Sequence, residues 1–146
     1  MNERTVFQSI SQRHVVSVAP TASVYTAACL MTTEKCGSVL VIDHSNVLLG
    51  IVTERDFMTR VLAKALDPSK TTVADIMTRN PKCVPPETKV PDAVLMMIEN
   101  GYRHLPIVSL DNKILGVFSA RNAMPQEIQA AQSLAEFNEQ INDALG

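Results

Sequence analysis

Neither sign of charge dominates this chain: 13 Lys and Arg against 15 Asp and Glu leave a formal net charge of −2 over 146 residues. There is no basic field to hold a nucleic-acid backbone, and no helix-turn-helix or zinc pattern accompanies one, so no nucleic-acid partner is expected. Long hydrophobic runs are missing too. No segment approaches the roughly 18 to 20 apolar residues that span a bilayer, so no membrane partner is expected either. Residues Met1 to Thr5 are polar and lack the apolar core of a secretory signal. Cysteine is scarce: Cys29, Cys36 and Cys83 are odd in number and show no CxxC spacing. This pattern predicts free thiols in a reducing, cytoplasmic compartment, with no disulfide framework or zinc site. Nothing forms a dedicated metal cage. The three histidines, His14, His44 and His104, join no recognisable nucleophile–base arrangement, so the protein is expected not to be an enzyme.

What is present is a packed composition, 46% apolar, arranged as a duplication. Shifting the chain by 66 residues lays Gly50 on Gly116, Arg55 on Arg121, Met31 on Met97 and Pro20 on Pro86 (116−50, 121−55, 97−31 and 86−20). Ile10/Ile76, Arg13/Arg79, Val18/Val84, Val24/Val90, Ala27/Ala93, Asn46/Asn112, Leu49/Leu115 and Met58/Met124 keep the same offset. One supersecondary unit occurs twice, so each copy is expected to bury its apolar face against the other. The predicted divisions are 1–66 and 73–124 for the copies, 67–72 for a linker and 125–146 for a C-terminal helix.

Each copy reads as the same succession. A short helix leads in, over Arg4 to Ile10 and then Val73 to Met77. A short strand follows, Val15 to Val18 and Cys83-Val84. Val24, Ala27, Ala28 and Met31 recur at helical spacing, as do Val90, Val94, Met97 and Ile98. Gly37 stands where a left-handed cap would end the first of these helices. Val39 to Ile42 with Val47 to Val52, and Leu105 to Val108 with Ile114 to Phe118, are predicted antiparallel pairs because their connections are short. A helix is predicted from Thr53 to about Leu66. Its counterpart opens at Ser119 and meets Pro125, which predicts a break before a last helix over Gln126 to Leu145.

This order, with Gly-Ile-Val-Thr-Glu-Arg-Asp at 50–56 and Gly-Val-Phe-Ser-Ala-Arg-Asn at 116–122, resembles the cystathionine β-synthase (CBS) domain. Asp75-Ile76-Met77-Thr78 with Pro81, and Arg103-His104-Leu105-Pro106-Ile107-Val108, look like that family's lead-in and second-strand signatures. The resemblance runs from about Val6 to Met124 and implies an α/β (α+β) fold. Two β-α-β-β-α repeats would pack with pseudo-twofold symmetry as a Bateman module, followed by a C-terminal helix. It also implies a regulatory sensor that holds AMP, ADP, ATP or another adenosyl compound in clefts between the repeats, with magnesium accompanying ATP. A homodimer and an unidentified protein partner, signalled in trans, are implied as well. A structural or interaction module with vestigial clefts is the alternative.

The residues themselves give the chemistry and its rival. Thr53 and Asp56 follow an apolar strand, where unpaired backbone donors favour an anion and a carboxylate can accept from a ribose diol. The same Thr-x-x-Asp is also a capping box that needs no ligand. Ser119 and Asn122 repeat the pattern with a neutral amide. By the resemblance, one site joins Thr53, Arg55 and Asp56 with Lys82, Cys83, Arg103, His104 and Pro106. The other joins Ser119, Arg121 and Asn122 with Val16, Cys36, Gly37 and Ser38. On that reading Asp56→Ala abolishes binding at the first site with little unfolding.

Overall fold

In a computed structural model, residues 3–11 and 14–145 are described. Arg13 of the Arg13/Arg79 match lies outside them. The chain divides into two compact units. Val15–Pro81 forms the first; Met1–His14 and Lys82–Gly146 together form the second.

In the first unit, β1 (Ser17–Val18), β2 (Ser38–Ile42), β3 (Leu48–Thr53) and β4 (Thr78–Arg79) make one sheet in that order. β1 runs parallel to β2 with Ser17 opposite Leu40, and β3 runs antiparallel to both β2 and β4. The β2–β3 turn is built by Asp43. Its Oδ1 accepts from the amides of Ser45 (2.8 Å) and Val47 (3.0 Å), and Asn46 supplies the left-handed residue at φ 64°. The expected strand over Val15–Val18 is thus confined to its last two residues. β4 was not foreseen, because two polar residues carry no period-two signal. It lies so close to β3 that a Cβ on Gly50 would stand 2.6 Å from Met77 Sδ and 2.7 Å from the Thr78 carbonyl oxygen. Only glycine fits that approach without displacing its neighbours.

α2 (Val24–Glu34) starts on Ser23, whose side chain accepts from the Thr26 amide at 3.0 Å. It buries Val24, Ala27 and Met31 against Val39, Val41 and Val52 of the sheet and Val61, Val73, Ile76 and Met77. Its cap is Lys35 in the left-handed region (φ 56°), two residues before the expected Gly37, which has no positive φ. The helix expected over Thr53–Leu66 is also different. α3 is a single turn, Glu54–Asp56, that continues as a π-helix over Phe57–Leu62. Ala65 is left-handed at φ 54°, and Pro68 bars the helix from the residue before it.

The second unit holds α1 (Val6–Ser9), α5 (Val90–Asn100), the hairpin β5 (His104–Val108) with β6 (Ile114–Ser119), a 3-10 turn (Ala120–Asn122) and α6 (Pro125–Leu145). α5 ends at Gly101 (φ 75°), the equivalent of Lys35 (101−35 = 66). The expected Cys83-Val84 strand reduces to one parallel bridge, Val84 to Ile107, cut short by Pro85 and Pro86. The predicted break before α6 occurs, and Pro125 takes its first position. The core is Val6 and Ile10, α5's Val90, Ala93, Val94 and Met97, the strand residues Leu105, Ile107 and Phe118, with Val84 and Ala131.

Each lead-in helix folds into the unit of the other repeat. In the second unit the Val6 amide donates to the Thr88 carbonyl (2.8 Å), and that of Val90 to Arg4 (2.9 Å). In the first unit α4 (Val73–Ile76) does the same. The Val73 amide donates to Ala22 (2.9 Å) and that of Val24 to Thr71 (2.9 Å). Thr5/Gln8 and Thr72/Asp75 form matching capping boxes, and Val6 and Val73 are both fully buried. These pairs are 67 apart (72−5, 73−6, 75−8), whereas the acceptors Ala22 and Thr88 are 66 apart (88−22). The Ile10/Ile76 match is therefore corrected: Ile10 corresponds to Met77, the residue that likewise ends its lead-in helix in extended conformation.

Candidate functional site

The strand β3 delivers Thr53 in extended conformation (φ −119°, ψ 166°) to a sharp turn. The Asp56 Oδ2 accepts from the Thr53 amide at 2.9 Å and from its hydroxyl at 3.2 Å. Asp56 is 8% exposed, and its other oxygen, Oδ1, lies 3.6 Å from Arg60 Nε, beyond hydrogen-bond reach. Arg60 Nη1 donates to the carbonyls of Ile76 (2.9 Å) and Met77 (3.2 Å), which hold the guanidinium independently of the carboxylate. Beside this corner the Glu54 amide donates to Gly37 O at 3.1 Å, and Thr53 sits opposite the buried Ser38. Val16 O accepts from the Leu40 amide (3.0 Å), and the Cys36 thiol donates to Ser38 O (3.3 Å). Arg55 is exposed.

The second corner has the same plan in the other unit. Asn122 Oδ1 accepts from the Ser119 amide at 2.8 Å, and Ser119 Oγ accepts from the Arg121 amide at 3.3 Å. The Ala120 amide donates to Arg103 O (3.1 Å), and His104 sits opposite Ser119. Pro106 O accepts from the Val84 amide (2.9 Å), which brings Lys82 and Cys83 alongside by chain connection. Lys82, Arg103 and Arg121 are exposed; His104 and Cys83 are half-buried.

Thr53, Arg55 and Asp56 therefore share a unit with Val16, Cys36, Gly37 and Ser38. Ser119, Arg121 and Asn122 share the other with Lys82, Cys83, Arg103, His104 and Pro106. Each expected site draws its members from both units, while the hydrogen bonds above link residues within one. The two corners differ in chemistry. The first offers a carboxylate oxygen that can accept; the second offers an amide nitrogen that donates. Both capping boxes are formed, so the structural role of these residues is met without a ligand. Burial pushes the Cys83 thiol up against the pull of Lys82, and burial raises that of Cys36. Neither is a ready nucleophile at neutral pH. None of the three cysteines is in a disulfide. Among the described residues no cluster of three or more His, Cys, Asp or Glu could hold a metal ion, and no helix is long and apolar enough to cross a membrane.

Sequence reasoning missed Arg60, Arg4 and Glu127. Arg4 forks onto Glu127, Nε to Oε2 at 3.1 Å and Nη2 to Oε1 at 2.7 Å, and also donates from Nη2 to Asn122 O at 2.9 Å. Glu127 Oε1 accepts from the Met124 amide at 2.7 Å. Glutamate at the third position of a helix that begins with proline is a start signature, so Glu127 could have been found as a cap. Its arginine partner, 123 residues away, could not.

Two copies of a lead-in helix, a parallel strand contact, a helix and an antiparallel hairpin that ends in a hydroxyl-bearing turn define a tandem-repeat module. The CBS domain pattern matches residues 7–63 and 73–124, and the chain belongs to the CBS domain family. It is 36% identical over 118 residues to an uncharacterized 17.7 kDa protein of Acidianus ambivalens, covering 81% of this chain and 70% of that one. It is 35% identical to the meiotically up-regulated gene 70 protein of Schizosaccharomyces pombe over 75% of this chain. That alignment spans only 17% of the yeast protein's length. The fold matches a CBS domain protein of Pyrobaculum aerophilum, PAE2072, complexed with AMP. Its TM-score is 0.77 at 21% identity, covering 88% of this chain and 98% of that one.

Proposed function

We propose that this protein is a regulatory module that senses an adenine nucleotide (AMP, ADP, ATP or a related adenosyl compound) and signals to a protein partner in trans. The observation that carries the reading is the Thr53–Asp56 corner. There a largely buried carboxylate keeps one oxygen, Oδ1, that makes no protein hydrogen bond yet is not sealed from water, the accessible acceptor that a ribose diol needs. Ser119 and Asn122 offer a hydroxyl and an amide donor in place of that carboxylate, which suits phosphate oxygens instead. The AMP held by the Pyrobaculum protein supports adenosine chemistry on this fold. Val16, Cys36, Gly37, Ser38 and Arg55, with Lys82, Cys83, Arg103, His104, Pro106 and Arg121, complete the proposed set of ligand-binding residues. No resident cofactor is required, and magnesium would arrive with ATP. A cytoplasmic homodimer is the form we assign to it, in keeping with its cysteines, none of which is in a disulfide.

A purely structural reading is favoured by one fact, that both turns are capped without ligand. A thermal-shift and calorimetric panel of AMP, ATP and S-adenosylmethionine, with and without magnesium, separates the two. Ligand at a hundredfold excess over Kd stabilises the folded state by about 2.7 kcal/mol, an easily read rise in Tm. No shift with any compound at millimolar concentration would leave the structural reading in its place.

A further inference from the structure

We infer that Arg4 and Glu127 are positioning residues for the second corner, holding Ser119–Asn122 in the geometry a ligand meets by clamping the Asn122 carbonyl to the first turn of α6. This rests on the ligand-binding reading of that corner. Ala120–Asn122 is one 3-10 turn, and Ala123 after it is extended (φ −82°, ψ 145°). Such a turn leaves its last carbonyls without intrahelical partners. Arg4 Nη2 takes that of Asn122 at 2.9 Å. The guanidinium cannot swing away, because Glu127 holds it at 2.7 and 3.1 Å in a planar fork. Glu127 is in turn fixed: it is 8% exposed and accepts from the Met124 amide. Asn122 links this set of contacts to the corner itself, since its side chain caps Ser119 at 2.8 Å. The first corner needs no clamp of this kind. Asp56 runs without a break into the Phe57–Leu62 helix. Arg4 and Glu127 both lie outside the stretches that match the CBS domain, 7–63 and 73–124, so the clamp belongs to this chain's flanks rather than to the repeat.

The test is AMP titration calorimetry on the full chain, with each corner isolated in turn. In an Asp56→Ala background, which leaves the second corner, Arg4→Met should weaken AMP about tenfold, with Arg4→Lys between the two because an ammonium cannot fork. In an Asn122→Ala background, which leaves the first corner, Arg4→Met should change affinity less than about twofold. Equal losses at both corners, or none at the second, would overturn the clamp. Should Arg4→Met fail to fold, Glu127→Gln, which keeps the shape and one acceptor oxygen but sets an NH2 donor against the arginine fork, should give a loss at the second corner alone; an unchanged affinity there overturns it too. If wild-type protein binds no AMP, the sensing reading fails, and amide hydrogen exchange then decides the clamp separately. Arg4→Met should speed exchange at Ser119 and Arg121 about tenfold with Thr53 and Asp56 unaffected, and unchanged exchange at Ser119 would refute it.

Discussion

The two corners share a backbone plan and differ in what holds them. At the first, helical backbone continues past Asp56, and Arg60 sits beside the carboxylate while bonded to the carbonyls that end α4. At the second, the chain leaves the turn after three residues, and a long-range ion pair replaces the missing helix. The contrast shows that a duplicated unit keeps its hydrogen-bond skeleton while each copy finds its own support. It also shows where each copy should fail. The first is vulnerable at a side chain that caps the turn and is proposed to meet the ligand, the second at a contact between segments 123 residues apart.

The largest expected effect is therefore on the second unit. Arg4→Ala strips a nearly buried carboxylate of its fork and leaves the Asn122 carbonyl without that donor. The expected cost is about 2 kcal/mol, a fall in Tm on the order of 6 °C by calorimetry. Arg60→Ala, its counterpart near the first corner, loses two ties from one guanidinium nitrogen to carbonyls and a loose 3.6 Å ion pair, and should cost about 1 kcal/mol. Equal costs would erase the distinction between the corners.

Acid provides a second handle on the same contrast. The hydrogen bond from Arg4, helped by the Met124 amide and opposed by burial, holds the Glu127 carboxyl below its ordinary range. A carboxyl depressed in the folded state adds stability that is fully present above its unfolded pKa, about 4.3, and is lost as pH falls through the lower folded value. We expect the acid limb of a Tm-against-pH curve to flatten in Glu127→Gln. A variant whose acid limb superimposes on that of wild type would show that the fork contributes nothing.

At the first corner, Asp56→Ala and Asp56→Asn should part company. Alanine removes the acceptor for the Thr53 amide and costs about 1 kcal/mol of capping as well as binding, which revises the expectation of little unfolding. Asparagine reproduces what Asn122 does for Ser119, so it should cost under about 0.5 kcal/mol while weakening AMP about tenfold through loss of a charged acceptor. If Asp56→Asn binds AMP as wild type does, the carboxylate is a cap and nothing more.

Much of this was legible in the sequence, and the reason is local periodicity. α2, α5 and both hairpins announce themselves through helical spacing, continuous apolar strands and Asn-containing turns whose equivalents, Asn46 and Asn112, adopt the same left-handed conformation. The corners were legible as Thr-x-x-Asp and Ser-x-x-Asn. What was hidden depends on distance along the chain or on competition between neighbours. β4 exists because Gly50 admits Met77 and Thr78, not because Thr78-Arg79 favours a strand. The one-residue slip of the lead-in helices was masked by the chance identity of Ile10 and Ile76. The Arg4–Glu127 pair joins segments 123 residues apart, and no window of sequence contains both.

The smallest expected effect concerns the ends of α2 and α5, where the repeats again part. Both helices close on a left-handed residue whose amide donates back to the helix, to Met31 in one and Met97 in the other. Gly101 adopts φ 75° freely, and a Cβ there would meet nothing within 4 Å, so the position is open in space and restricted only by its backbone. Lys35 holds φ 56° against the steric preference of an L-residue, a penalty of roughly 1 kcal/mol. Lys35→Gly should relieve it and, after the added freedom of the unfolded chain is subtracted, stabilise the protein by about 0.5 kcal/mol. Gly101→Lys should do the reverse by about 1 kcal/mol. Urea melts of the two variants measure this directly, and the pair is informative in its signs: glycine must help at one position and its loss must hurt at the other. Destabilisation by Lys35→Gly would mean that the lysine side chain supports the first repeat in some way its exposed position does not show, and the equivalence of the two caps would be broken.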